Sequence, residues 1–160
     1  MKILLFVCSF LLSAVTCCWC QQDDKIDWDY IRINHLSQGD HKTTIIKTFG
    51  KPAKIEKVQS MDDEWYAYHY KNSIIQVSPD GYLQGFEIYD TNFVLTYKST
   101  KIKVGDSIAI LKKMFPGSYK DYLKEKSGYF RLQFGDSDEY LFFIIKNNRI
   151  AHFKNWFDNT

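Results

Sequence analysis

Gln38 to Gly50 reads "QGDHKTTIIKTFG", and Val104 to Pro116 reads "VGDSIAILKKMFP". Laid over each other, they match Gly39 with Gly105, Asp40 with Asp106, Lys47 with Lys113 and Phe49 with Phe115. Each segment has the pattern of a short helix. Asp40 and Asp106 are placed as N-caps, where a side-chain oxygen takes the free N–H groups of the first turn. Ile108, Leu111 and Phe115 recur at helical spacing and define one apolar stripe. Gly50 with Pro52 ends the first helix, and Pro116-Gly117 ends the second.

Alternating strands follow each helix. "EWYAYHYK" (Glu64 to Lys71) and "YFRLQF" (Tyr129 to Phe134) both switch faces at every residue. Tyr66, Tyr68 and Tyr70 align with Phe130, Leu132 and Phe134. The second set is plainly apolar, so both sets are predicted to face the core. Trp65, Ala67 and His69, with Tyr129, Arg131 and Gln133, then face the other way. Further on, "SIIQVS" turns through "PDG" into "YLQGFEIY", and "YLFFIIK" turns through "NNR" into "IAHFKNW". Proline presets φ, while glycine and asparagine accept positive φ, so both connections are hairpins. Leu83 and Phe86 match Ile150 and Phe153. Thr91 to Ile102 joins the two units and is expected to add an edge strand.

The predicted fold is α+β: two tandem units of helix plus antiparallel strands, sharing one sheet with helices on one face. Residues 37–97 form the first unit and 98–160 the second. Such a unit buries its sheet poorly alone, and fusion of two provides a common core. The tandem pattern resembles the fold of the beta-lactamase inhibitor protein and of the SmpA/OmlA (BamE-like) envelope lipoproteins. The residues that carry the resemblance are the Gly-Asp helix starts, "FGKP" at Phe49 to Pro52, the aromatic strand after it, and the repeat. The inhibitor carries disulfides, which the part of this chain after Cys20 cannot form, so inhibitory activity is not carried over.

The N-terminus reads as an export signal over residues 1–17. Lys2 supplies the positive charge, and Ile3 to Val15 is apolar but too short for a bilayer core, which needs about 20 residues. All four cysteines, Cys8, Cys17, Cys18 and Cys20, lie within the first 20 residues, which leaves the rest of the chain without a disulfide framework or a closed zinc set. A signal ending in cysteine resembles a bacterial lipoprotein precursor, whose first mature residue is a lipidated Cys. "VTCC" fits Cys18 as the acceptor, and Cys17 would have Ala14 at the aliphatic position. "CQQDDK" after Cys20 resembles the surface-export signal of Bacteroidetes lipoproteins, which favours Cys20. Ordinary cleavage near Gln21 is the other reading. Residues 18–36 are a polar tether whose aromatic end, Trp28 and Tyr30, is expected to dock on the domain.

Net charge is +2, with acidic and basic residues interspersed, which points away from nucleic acid. His35, His41, His69 and His152 show no metal-ligand spacing. "GDSDEY" (Gly135 to Tyr140) lacks the glycine and the terminal Glu of a calcium loop and is read as a hairpin turn, as is "MDDEW" (Met61 to Trp65). No Gly-X-Ser-X-Gly, phosphate loop or downstream nucleophilic Cys is present. The expectation is therefore no catalytic residue, metal or cofactor. The expected protein is an exported, non-enzymatic binding or scaffold protein, held at the outer membrane or cell surface by a lipid on Cys18 or Cys20, or else periplasmic or secreted. Trp65, His69, Tyr129 and Arg131 are the candidate contacts for a protein partner, being of types that dominate interface energies or pair readily. The alternatives are an inhibitor or immunity-type protein that blocks a secreted enzyme, and a hydrolase with an unrecognised site.

Overall fold

The computed structural model of the chain describes residues 24–59 and 64–157. In chain order its elements are β1 (Ile31–Ile33), α1 (Lys42–Phe49), β2 (Lys54–Gln59), β3 (Glu64–Tyr70), β4 (Ser73–Val77), β5 (Leu83–Ile88), β6 (Leu95–Tyr97) and β7 (Thr100–Ile102). There follow α2 (Ala109–Met114), α3 (Pro116–Glu125), β8 (Tyr129–Gln133), β9 (Glu139–Lys146) and β10 (Arg149–Phe157). The fold is α+β with antiparallel sheets. A seven-stranded sheet runs β2-β3-β4-β5-β10-β9-β8, and a three-stranded sheet runs β1-β6-β7.

Local chemistry explains the turns. Pro79-Asp80-Gly81 joins β4 to β5, with Gly81 at φ 93°. Asn147 and Asn148 join β9 to β10 at φ 52° and 58°, the paired left-handed conformation of the tightest hairpin turns. The segment from Gly135 to Asp138 turns β8 into β9. Gly50 ends α1 at φ 83°, its N–H donating to the Ile46 carbonyl at 2.8 Å.

Strand alternation carries the core. Tyr68, Tyr70, Phe130, Leu132 and Phe134 are buried, and Tyr66 packs against them partly covered. Ile45 and Leu111 from the helices and Phe115 between α2 and α3 join the same cluster, as do Ile31, Ile33, Leu95 and Ile102 from the small sheet. A run of aromatic contacts links Phe115, Phe130, Phe143, Phe153 and Phe86, with successive ring centroids 6.5, 6.2, 5.8 and 6.1 Å apart. Each such ring is worth about 1.5–3 kcal/mol when fully buried.

Four expectations need correction. Asp40 and Asp106 do not cap the helices. Each carboxylate turns back into its own loop, accepting from Ser37 N at 2.7 Å and Lys103 N at 2.8 Å. The cap of α1 is His41, whose ring accepts from Thr43 N. Pro116 ends α2 but also opens α3, since a proline at the first helical position forfeits no hydrogen bond. Thr91 to Ile102 contributes β6 and β7 to the small sheet and not an edge to the large one. The tether expected over residues 18–36 is packed into the domain along its described part: Ile26, Ile31, Ile33 and Leu36 are buried, Ile31 and Ile33 within β1, Ile26 through its bridge to Phe134 and Leu36 through its bridge to Ile33.

The chain enters beside β8. Asp24 Oδ2 accepts from Ser118 N at 2.8 Å and so supplies, from far along the sequence, the cap that α3 lacks locally. Lys25 pairs with Asp136. Ile26 bridges to Phe134 in parallel, with Ile26 N to Gln133 O and Gly135 N to Ile26 O both at 2.9 Å. Trp28 lies flat on Phe134, with centroids 3.9 Å apart, and its indole N–H donates to Glu139 at 2.6 Å. The expected docking of Trp28 is therefore present, while Tyr30 stays half exposed with its ring edge-on to Tyr97.

At the centre of the large sheet β5 and β10 share only the pairs Phe153↔Ile88 and Lys154↔Glu87. Beyond them the buried Asn155 side chain takes over the ladder. Its Oδ1 accepts from Phe86 N at 2.6 Å, and its Nδ2 points to Gln84 O at 3.5 Å. Gly85 makes this possible: a Cβ there would sit 2.6 Å from Gln76 Oε1 and 2.9 Å from both amide atoms of Asn155.

Candidate functional site

The outer side of the large sheet is set by the same alternation that fills the core. On β3 it carries Trp65, Ala67 and His69. Their neighbours on β2 are Val58, Glu56 and Lys54. On β8 it carries Tyr129, Arg131 and Gln133, facing Ile144, Phe142 and Tyr140 on β9. The four residues singled out in the sequence therefore share one side of the sheet, but not one patch. β3 and β8 are five strand steps apart in the sheet order, about 24 Å at 4.8 Å per step. Twist of about 20–25° per step turns the two ends on the order of 100° away from each other.

The two ends also differ in exposure. Trp65 and His69 are partly covered, and Ala67 is buried between Glu56 and Gln76 on its neighbouring strands. His69 Nε2 stands 3.4 Å from Glu56 Oε2, an ion-pair distance without hydrogen-bond geometry. Glu56 is held below the usual carboxylate range by its hydrogen bond and charge contact with Lys54, and less by His69. Lys57 pairs with Glu64 at 2.7 Å, which raises the lysine's pKa. At the other end Tyr129 is 51% exposed. Its ring meets Phe142 edge-on, centroids 6.5 Å apart, and Phe142 meets Tyr140 at 5.8 Å. Arg131 pairs with Glu125 of α3 at 2.7 Å. Between α3 and this end lies a polar cleft of about 320 Å³, lined among others by Asp24, Ser118, Tyr122 and Gln133.

Midway along the outer side is a polar group that the sequence reading passed over. Tyr89 donates its hydroxyl proton to Glu87 Oε1 at 2.6 Å and stacks on His152, centroids 4.4 Å apart. The Glu87 bond, aided by burial, pushes the Tyr89 pKa up to about 12. Burial lowers that of His152 against the pull of Glu87, with Lys154 and Lys146 adding to the lowering. The two shifts run in opposite directions, the tyrosine's upward through its bond to Glu87 and the histidine's downward through burial, while the rings pack face to face. The available signal was positional: Glu87 lies on β5 and Tyr89 just past its end, two residues on, and the pairing of Ile88 with Phe153 brings His152 alongside.

Among the described residues no group of three or more His, Cys, Asp or Glu side chains is placed to hold a metal ion. Among them, too, no helix is long and apolar enough to cross a membrane. The lipidation candidates Cys18 and Cys20, the export signal, and most of the turn expected at Met61 to Trp65 lie outside the described residues. No family model, no curated protein and no solved structure matches this chain.

Proposed function

We propose that the chain is a non-enzymatic binding or scaffold protein of the cell envelope, anchored through a lipid at Cys18 or Cys20. It holds a protein partner on the outer side of its large sheet. The observation that supports this reading is the Tyr129–Phe142–Tyr140 aromatic strip beside Arg131. Tyrosine and arginine are the types that concentrate binding energy, with little side-chain entropy to lose on the aromatic side. Trp65 and His69, at the far end, form a second contact for a partner long enough to span the face. The lipid anchor is supported by the cysteine pattern of the leader alone.

The architecture behind this function is two tandem units, similar to the inhibitor-protein and BamE-like fold. Its support is local. Gly39 and Gly105 have φ 84° and 94°. Gly39 N donates to Leu83 O and Gly105 N to Ile150 O, at 2.9 and 2.7 Å. Leu83 N and Ile150 N return to Asp40 O and Asp106 O, at 2.8 and 2.9 Å.

A photo-crosslinking residue at position 129, in cells, tests the binding role. A single dominant adduct is expected, lost on Arg131→Ala and Phe142→Ala, with the melting temperature nearly unchanged by Arg131→Ala. An adduct with a secreted enzyme whose activity falls would favour the inhibitor reading. No adduct at either 129 or 65 would remove the outer side as the site.

A further inference from the structure

We propose that the cleft at the C-terminal end of α1 binds a small amphiphilic carboxylate. It encloses about 380 Å³, within the range of about 300–1,000 Å³ usual for small-molecule sites. It lies on the core side of the large sheet, so the inference is independent of the outer side and of the lipid anchor. Four stretches of chain converge on it: the last turn of α1 with Lys51, the β3–β4 turn, the β5–β6 connection, and Asn34 after β1. Phe49, Tyr70 and Phe93 make the apolar wall, with centroids 4.9 Å apart for Phe49–Phe93, 5.4 Å for Phe49–Tyr70 and 6.4 Å for Tyr70–Phe93.

Two features ask for an oxygen-bearing anion. The first is the Tyr70 hydroxyl. The residue is 8% exposed, and its hydroxyl has no hydrogen-bond partner among the described residues. Buried polar atoms in native folds are almost always partnered, so an orphan on a residue that lines a cleft calls for an acceptor from outside. The second is charge. Lys51 and Lys71 line the cleft, and no carboxylate does. Neither lysine takes part in an ion pair among the described residues. Lysines near a helix C-terminus also complement its exposed carbonyls, but that leaves the hydroxyl unexplained. An apolar body against the three rings, with carboxylate oxygens for the hydroxyl and the ammonium groups, satisfies all of these contacts together.

Octanoate and 1-octanol, titrated into isotope-labelled protein and followed by amide resonances, test the site. Octanoate is expected to shift Phe49, Lys51, Tyr70, Lys71 and Phe93 saturably, and 1-octanol to bind about tenfold more weakly. Tyr70→Phe keeps the ring and should weaken octanoate roughly three- to tenfold, the worth of one hydrogen bond. Lys51→Gln with Lys71→Gln should bring the acid down to the affinity of the alcohol. The lysine pair leaves the ring cluster intact, so it reads the site even where Tyr70→Phe shifts the fold. Equal binding of acid and alcohol to the native protein, shifts scattered outside the cleft, or full affinity in both variants would overturn the proposal.

Discussion

Tyr70 ends β3 and Phe134 follows β8, each the last core-facing aromatic of an alternating strand, and their surroundings differ. Phe134 is sealed: Trp28 lies flat on it and is itself held by Glu139. Tyr70 is flanked by Phe49 and Phe93 and borders an open cleft, with a hydroxyl that finds no partner among the described residues. The N-terminal segment accounts for the contrast. That segment docks at the β8 end, and among the described residues no ring stacks flat on Tyr70 as Trp28 does on Phe134. Two strands with the same pattern therefore end in different states, one closed by a borrowed ring and one left with polar potential.

Removing the sealed ring should have the largest effect. Phe134→Ala and Phe115→Ala are each expected to destabilise by about 3–5 kcal/mol, the usual cost of deleting a buried Phe. Phe49 aligns with Phe115 in the sequence but is only partly covered at the cleft wall, so Phe49→Ala should cost about half as much. Denaturant midpoints measure all three, and equal losses for Phe49 and Phe115 would dissolve the contrast between the two ends. Next in size is the lid. Trp28→Leu removes the stack and the indole hydrogen bond and should cost about 2 kcal/mol.

Tyr70→Phe should act with the opposite sign. It deletes a buried donor without a partner and is expected to raise stability by about 1 kcal/mol in the absence of ligand. Burial also pushes the Tyr70 pKa up to about 12 from its ordinary 10.0. The unfolded chain then releases that proton first, so stability falls as pH rises past about 10. Tyr70→Phe should flatten part of this alkaline decline. A loss of stability in this variant would mean that the hydroxyl has a partner in solution.

The smallest effect belongs to His152. Its pKa lies below the ordinary 6.5 in the fold. The unfolded chain takes up the proton first as the pH falls. Stability is therefore lost below about pH 6.5, down through the folded value. His152→Gln should reduce that acid slope slightly, as chemical denaturation at several pH values would show.

The large sheet was legible wherever one face was wet and the other dry. β3, β8 and both later hairpins follow from period two and from turn residues whose φ values the structure bears out. β2 was not, because "KIEKVQ" is exposed along nearly its full length and has no apolar side to read. β1, β6 and β7 are three residues each, too short for a period to show. The Asp-led helix starts misled because a left-handed glycine just before each Asp turns the carboxylate back toward the preceding loop. Tyr70 was placed correctly in the core, yet a column shared with Phe134 hid what its hydroxyl would need. Asn155 carried no signal, since its partners are backbone groups far away in sequence.

That asparagine has a kinetic consequence. With two residue pairs and one carboxamide joining β5 to β10, the seam is the most sparsely paired line across the large sheet. Amide hydrogens on the β3–β4–β5 side and on the β8–β9–β10 side should exchange with solvent as two blocks with separate opening energies. The Phe86 amide, shielded by a side chain and not by a neighbouring strand, should lose its protection first when Asn155 is replaced by alanine.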